Sequence, residues 1–266
     1  MAFEISLLRI WAEGLMVVLV FMTLVWLWSV KLKNASIVDP FWGLGFVVAI
    51  MWYAFRVPMD DFHQWVLVIL VMIWGFRLFT YLFLRNYGKE EDYRYRQFRK
   101  DYGEQRYWWV SFFQVFMLQG ALLAFISVTL LGGLYPNQNG LYHLPVLIIA
   151  VFLWLVGFFF ETVGDWQMYR FKSDPTNRGK VMDRGLWKYT RHPNYFGDTM
   201  VWWGFGLFAV YNGYWYTLAG SLVMTWLIIN ISGVAMLERD LVKRRTGYDE
   251  YIRKTPAFFP WFPSKR

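Results

Sequence analysis

Three pairs of polar side chains recur at helical spacing in a chain otherwise poor in charge. Glu161 and Asp165 are four residues apart, as are Asn194 and Asp198, and Arg77 and Tyr81. Residues four apart share one face of a helix, so each pair can act together on one ligand. Lys172 extends the Glu161 stripe if its helix continues, and Asp39 stands just before Pro40. Carboxylates, an amide, a guanidinium and phenols are groups that hold a polar cofactor, move protons or polarise a carbonyl. Their setting gives them weight: each lies in or beside a long apolar run, where an ionisable group is costly. For Arg77 and Asp39 a structural ion pair or snorkelling is the competing explanation. Gln114, Gln119 and Asn230 also fall within apolar runs, and hydrogen bonds between helices account for them.

A second feature is the segment Arg191-His192-Pro193-Asn194 with the basic residues before it. Pro193 fits the first turn of a helix, where its missing N–H costs nothing. The free amides and the positive end of that helix would then face a loop beside Arg191 and His192, an arrangement that attracts anions. Lys172, Arg178, Lys180, Arg184 and Lys188 lie upstream and could neutralise several phosphates. The same residues could instead only fix membrane topology.

The elements that position these groups are legible from hydropathy. The chain of 266 residues is 57% hydrophobic and 17% charged, below the roughly 25% charge of a soluble domain. Residues 107–160 and 199–237 contain no Lys, Arg, Asp or Glu. Each run is long enough for two helices of about 20 apolar residues, around turns at 133–140 and 211–214. Further spans fit 12–30, 37–56 and 62–84. The expectation is an all-α bundle of seven transmembrane helices, forming one multi-pass domain over 1–266. The first span exceeds a secretory core and lacks a cleavage site, so it reads as a span. Of 27 Lys and Arg, 22 fall in loops 85–106 and 165–192 and in the tail after Leu237. With the positive-inside rule this predicts the N-terminus outside and the C-terminus in the cytoplasm. The net charge of +8 is thereby explained without nucleic acid. The mixed charges of 89–103 predict an interfacial helix, and Pro175 and Gly179 should end the helix leaving the fifth span. With no Cys and three dispersed His (His63, His143, His192), disulfides, thiolate chemistry and a histidine-rich metal site are not expected. Gly43-Leu44-Gly45 and Gly204-Phe205-Gly206 sit in apolar spans without a strand–helix context, so they predict close helix packing and not a dinucleotide-binding loop.

The segment Arg191-His192-Pro193-Asn194-Tyr195-Phe196-Gly197-Asp198 resembles a signature of the steroid 5α-reductase and sterol reductase superfamily. The tail resembles it too, through Leu237-Glu238-Arg239-Asp240, Gly247-Tyr248-Asp249-Glu250-Tyr251 and Pro260. Ile37 to Gly43 and Trp74 to Gly88 are similar to an uncharacterised bacterial branch of the 5α-reductase-like family. The resemblance covers nearly the whole chain and is most specific in its C-terminal half. It implies a substrate-side half over 1–106, a cofactor-binding half over 107–266, and NADPH as cofactor. By resemblance Asn194 and Asp198 bind the nicotinamide half, Asp165 is an acidic cofactor contact, and Lys172 and Lys180 stand where arginines hold phosphates. Glu161 stands in place of an amide, and Glu238 or Asp240 falls near a polar cofactor contact; Arg178, Tyr189, Arg191 and His192, beside the anion-ready helix start, are counted with the candidate cofactor-binding residues. On the substrate side Arg77 matches a family arginine and Asp39 lies near a catalytic Glu. The expected Tyr falls on Trp74, whose indole cannot donate a proton at ordinary pH. Tyr81 or Tyr53 then takes that role, or the substrate is not a 3-keto steroid.

The expected function is therefore NADPH-dependent reduction of an activated C=C bond in a hydrophobic, lipid-like substrate. The chain is expected to be a monomer among membrane lipids, in a bacterial inner membrane or, in a eukaryote, the endoplasmic reticulum. The alternative is a membrane methyltransferase of the isoprenylcysteine or phospholipid type, using S-adenosylmethionine. Its C-terminal helix usually carries paired Glu where this chain has Leu237-Glu238-Arg239-Asp240, and its cofactor has no phosphates for the basic residues. A non-enzymatic lipid binder or transporter ranks third, since no repeats or broken midplane helices are visible.

Overall fold

The computed structural model describes residues 2–137, 144–232 and 247–264, and among these the regular structure is helical throughout. Nine helices are used below: α1 (Ala2–Leu32), α2 (Val38–Arg56), α3 (Phe62–Asn86), α4 (Tyr93–Tyr102), α5 (Tyr107–Leu134), α6 (Leu144–Ser173), α7 (Pro193–Tyr211), α8 (Trp215–Ile231) and α9 (Tyr248–Lys254). The chain divides into two compact units. One comprises Met1–Leu141 with Asn212–Thr217, the other Tyr142–Tyr211 with Leu218–Arg266. The packing thus groups α5 with the helices before it.

Among the described residues five helices are long and apolar enough to cross a bilayer: Leu7–Leu32, Ala35–Arg56, Phe62–Asn86, Tyr107–Leu134 and Leu144–Ser173. The sixth and seventh expected spans fall on α7 and α8, which are not among those five. The first turns of α7 carry Asn194 and Asp198, and described α8 is a shorter apolar helix.

In the first unit small residues set how closely helices approach. A Cβ added to Gly43 would collide with the Gly75 carbonyl, and one on Gly75 would meet Val47 at 2.6 Å and the Gly43 carbonyl at 2.7 Å. Gly43 and Gly75 therefore let α2 and α3 touch backbone to backbone. Asp61 and Gln64 form a capping box at the start of α3. Within α5 a π turn over Phe112–Met117 rotates the helix face that follows. The connector expected to be an interfacial helix is α4; Asp92 caps its start and Gly103, at φ 86°, ends it.

In the second unit α6 and α7 form the closest pair. A Cβ on Gly197 would run into the backbone of Glu161 and Gly157. Gly204 makes a like approach to the Ala150 carbonyl, as its apolar setting predicts. α6 continues well past the uncharged run and stops at Ser173. There Asp174 caps a short turn over Pro175–Asn177, the break foreseen from Pro175. The loop after it is stitched back to α6. Leu186 N–H donates to Gln167 Oε1 (3.0 Å), and the Trp187 indole N–H donates to the Gly164 carbonyl (3.1 Å).

Candidate functional site

The buried polar groups of the second unit collect where α7 begins against α6. Pro193 occupies the first helical position of α7, and its ring and the Asn194 amide lie where a side chain on Gly164 would be. Glu161 (3% exposed) and Asp165 (6%) are enclosed on the facing side of α6. Asn194 Nδ2 donates to Asp165 Oδ1 at 3.2 Å, so this acid and amide, predicted separately, meet in space. Asn194 Oδ1 is buried with no hydrogen-bond partner, as are Thr162 Oγ1 and Thr199 Oγ1. An unsatisfied buried polar atom costs about 1–3 kcal/mol. The Asn194 Oδ1 acceptor beside the enclosed Asp165 carboxylate is suited to a ligand that brings an N–H or O–H donor. Asp198 lies half-buried one turn after Asn194.

Seven residues beyond Asp165, roughly 10 Å along the helix axis, exposed Lys172 marks the end of α6. Lys172 and Arg178 line an open depression of about 310 Å³ with Phe171, Asp174, Asn177 and Gly179. Asp174 is turned to local use: its Oδ1 accepts from Thr176 N–H (2.9 Å) and Thr176 Oγ1 (2.8 Å). Those hydrogen bonds hold its carboxyl below the usual range. Lys180 is exposed in the same loop, outside the lining of the depression.

Arg191 also makes contacts that its sequence neighbours do not predict. It is buried, and its Nη1 donates to the carbonyls of Thr255 (2.6 Å) and Ile252 (3.0 Å). Its guanidinium thus pins the last turn of α9 and the residue that follows it. His192 is buried and stacks on Tyr195 with ring centroids 5.5 Å apart. Tyr189 lies against Phe262 at the surface. Glu238 and Asp240 lie outside the described residues.

In the first unit Asp39 is the centre of a network. Its Oδ1 accepts from the Tyr95 hydroxyl at 2.7 Å, and its Oδ2 from Arg94 Nη2 at 3.1 Å. Arg94 Nε also donates to Asp92 Oδ1 at 2.9 Å. Gln119 Nε2 donates to the Tyr95 oxygen at 3.4 Å, and Trp42 Nε1 donates to Gln119 Oε1. Two long helices, α2 and α5, and the loop helix α4 converge here. Burial, followed by the charge of Asp39 and its hydrogen bond, pushes the Tyr95 phenol well above its usual value. Burial raises the Asp92 carboxyl, but the hydrogen bonds and charge of Arg94 outweigh it and the net shift is downward. Tyr95 is absent from the residues singled out by sequence. Its side chain returns to a carboxylate 56 residues earlier, and no local spacing encodes that pairing.

The other tyrosines fare differently. Tyr53 is fully buried, its hydroxyl 2.8 Å from Ser127 Oγ, and its ring fills the space beside Gly14. Trp74 is fully buried against Phe46. Arg77 and Tyr81 are half-buried on one face of α3, and the Arg85 guanidinium lies 5.7 Å from the centre of the Tyr81 ring. Gly43 abuts Gly75 in a hairpin of helices. That register places Asp39 and Arg77 within about one turn of each other along the axis.

Similarity to other proteins bears on the whole chain and on part of it. An uncharacterised protein of Schizosaccharomyces pombe is 25% identical over 284 residues, covering 93% of this chain and 78% of its own length. A probable O-methyltransferase of Ustilaginoidea virens is 28% identical over 116 residues, covering 44% of this chain and 36% of its own length. No solved structure matches. The pattern of the family described as "Protein of unknown function (DUF1295)" matches residues 25–255. The chain carries that pattern through α2 to α7 and on through α9, both polar networks included, and it belongs to this family.

Proposed function

We propose that this protein is a membrane-embedded reductase that uses NADPH to saturate an activated carbon–carbon double bond in a lipid-like substrate. The observation that carries the reading is the arrangement along α6. The Asp165–Asn194 pair and the unpartnered Asn194 Oδ1 lie at one level, and the basic depression at Lys172 and Arg178 lies about two turns further on. That order fits a ligand with an amide at one end and phosphates beyond it. Asn194, Asp165 and Asp198 would hold the nicotinamide end, Glu161 would accept donors nearby, and Lys172, Arg178 and Lys180 would neutralise phosphate. When bound, NADPH supplies a hydride to the carbon β to a carbonyl. Addition there would shift the C=C pair towards the carbonyl carbon and the C=O pair onto oxygen as an enolate, and protonation of the α carbon would restore the carbonyl. Taken by themselves, Asp39, Tyr95 and Arg77 of the first unit have the chemistry to polarise a carbonyl oxygen and move a proton. The resemblance to the 5α-reductase-like family supports the same assignment. In this reading α7 and α8 complete seven spans, with the N-terminus outside and the C-terminus in the cytoplasm of a bacterial inner membrane.

A methyltransferase using S-adenosylmethionine is the second reading, favoured by the partial similarity to a probable O-methyltransferase. Purified protein titrated with NADPH, NADH and S-adenosylmethionine decides between them, because a ligand that binds the folded state raises the melting temperature. NADPH is expected to stabilise most, by about 3 kcal/mol at a hundredfold excess over Kd. Stabilisation by S-adenosylmethionine alone overturns the reductase.

A further inference from the structure

The segment after α9 exposes large aromatics and is nevertheless held firmly. Phe259, Trp261 and Phe262 are 72%, 71% and 73% exposed. A backbone clamp fixes them in place. Arg191 N–H donates to the Pro256 carbonyl, Trp261 N–H to the Tyr189 carbonyl and Ser264 N–H to the Lys254 carbonyl, each at 2.9 Å. Thr190 Oγ1 donates to the Phe258 carbonyl at 2.8 Å, and the Arg191 guanidinium binds two further carbonyls. Ordering such a segment while leaving three aromatic rings in water would forgo the gain from burying each large apolar side chain.

Ring contacts give the depth of the segment. Phe259 lies 6.2 Å from Phe196 of α7, and Phe196 lies 5.1 Å from Phe160 of α6. Phe160 is the last residue of the uncharged run that begins α6. The run from Leu144 to Phe160 rises about 25 Å, close to the ~30 Å thickness of the hydrocarbon core. The Phe160–Phe196–Phe259 chain therefore ends near the edge of that core, where aromatic rings favour the headgroup layer. Exposed Lys188, Arg253 and Lys254 lie beside the same segment, and in sequence it continues to Lys265 and Arg266. Cations at this position complement anionic headgroups.

We propose that Phe259–Phe262 is an interfacial anchor whose partner is the anionic headgroup layer of the bilayer crossed by α6. Through the clamp on Thr190 and Arg191 the anchor also braces the start of α7. The proposal stands apart from the reaction assigned above.

The chain contains no cysteine, so single-cysteine labelling is clean. Phe259→Cys, Trp261→Cys, Phe262→Cys and, as a control, Arg253→Cys would each be spin-labelled in the full-length protein and reconstituted in vesicles of phosphatidylcholine and phosphatidylglycerol. Collision rates with oxygen, which concentrates in lipid, and with a water-soluble nickel chelate are then compared. At the three aromatic positions oxygen collisions are expected to exceed nickel collisions severalfold, with the reverse at residue 253. Predominant nickel collisions at all three positions mean a solvated tail and overturn the proposal. Immobilised labels protected from both reagents mean a face covered by protein and overturn it equally. Three independent labels keep the test valid if one variant folds poorly.

Discussion

Asp39 gains its significance from what reaches it. A lone carboxylate near the start of a span is ambiguous, because a structural ion pair accounts for it as well as chemistry does. The structure supplies both a guanidinium and a phenol, and the phenol is the group that can carry a proton. The two contributions are separable. Tyr95→Phe removes the hydroxyl and keeps the ring, and Asp39→Asn removes the charge and keeps the shape. Both are expected to lower turnover, by a hundredfold or more if the pair moves the proton, while the melting-temperature response to NADPH stays near that of the parent. Loss of the NADPH response in Asp39→Asn would assign Asp39 to cofactor binding, and unchanged turnover in both variants would leave the network a structural role. At this scale the sequence identified Asp39 but not its partner Arg94. It could not identify Tyr95, because Tyr95 meets Asp39 only after α4 folds back over the start of α2. Arg191 is the converse case. Its neighbours predict an anion ligand, and the structure shows its Nη1 on two backbone carbonyls, one within α9 and one just after it.

At the scale of elements, helix positions follow hydropathy closely. The five longest apolar helices lie where uncharged runs and turn residues put them, and α6 ends just before Pro175. What hydropathy does not encode is how near two helices come. Gly157 and Gly197 let α6 and α7 meet at the level of Glu161, and this contact sets Asn194 within hydrogen-bond reach of Asp165. Gly197→Ala forces the backbones apart, and overpacking of this kind costs about 1–3 kcal/mol. A lower melting temperature in detergent and a weaker response to NADPH are expected together. A variant that melts like the parent and binds NADPH equally would show that the close approach is not needed. The π turn in α5 is likewise silent in sequence. It turns the face that carries Gln119, which then binds Tyr95 and Trp42.

At the scale of the whole molecule the distribution of charge is the strongest signal. Basic loops predict which side of the membrane each connection faces, and with seven spans they put the N-terminus outside. Asp60→Cys and Arg96→Cys, both at exposed positions, test this in intact cells with a membrane-impermeant maleimide. Labelling at residue 60 alone is expected, and labelling at residue 96 alone reverses the orientation. The sequence by itself determined that this is a chain of apolar helices, where those helices start and stop, and which ionisable residues they carry. Hydropathy and charge add up locally, residue by residue, so a linear reading recovers them. Only the tertiary structure decided that Asp165 meets Asn194, that Tyr95 serves Asp39, and that Arg191 serves the segment after α9. Those pairings join residues 29, 56 and up to 64 positions apart. They are set by small-residue contacts and backbone hydrogen bonds, which hydropathy does not record.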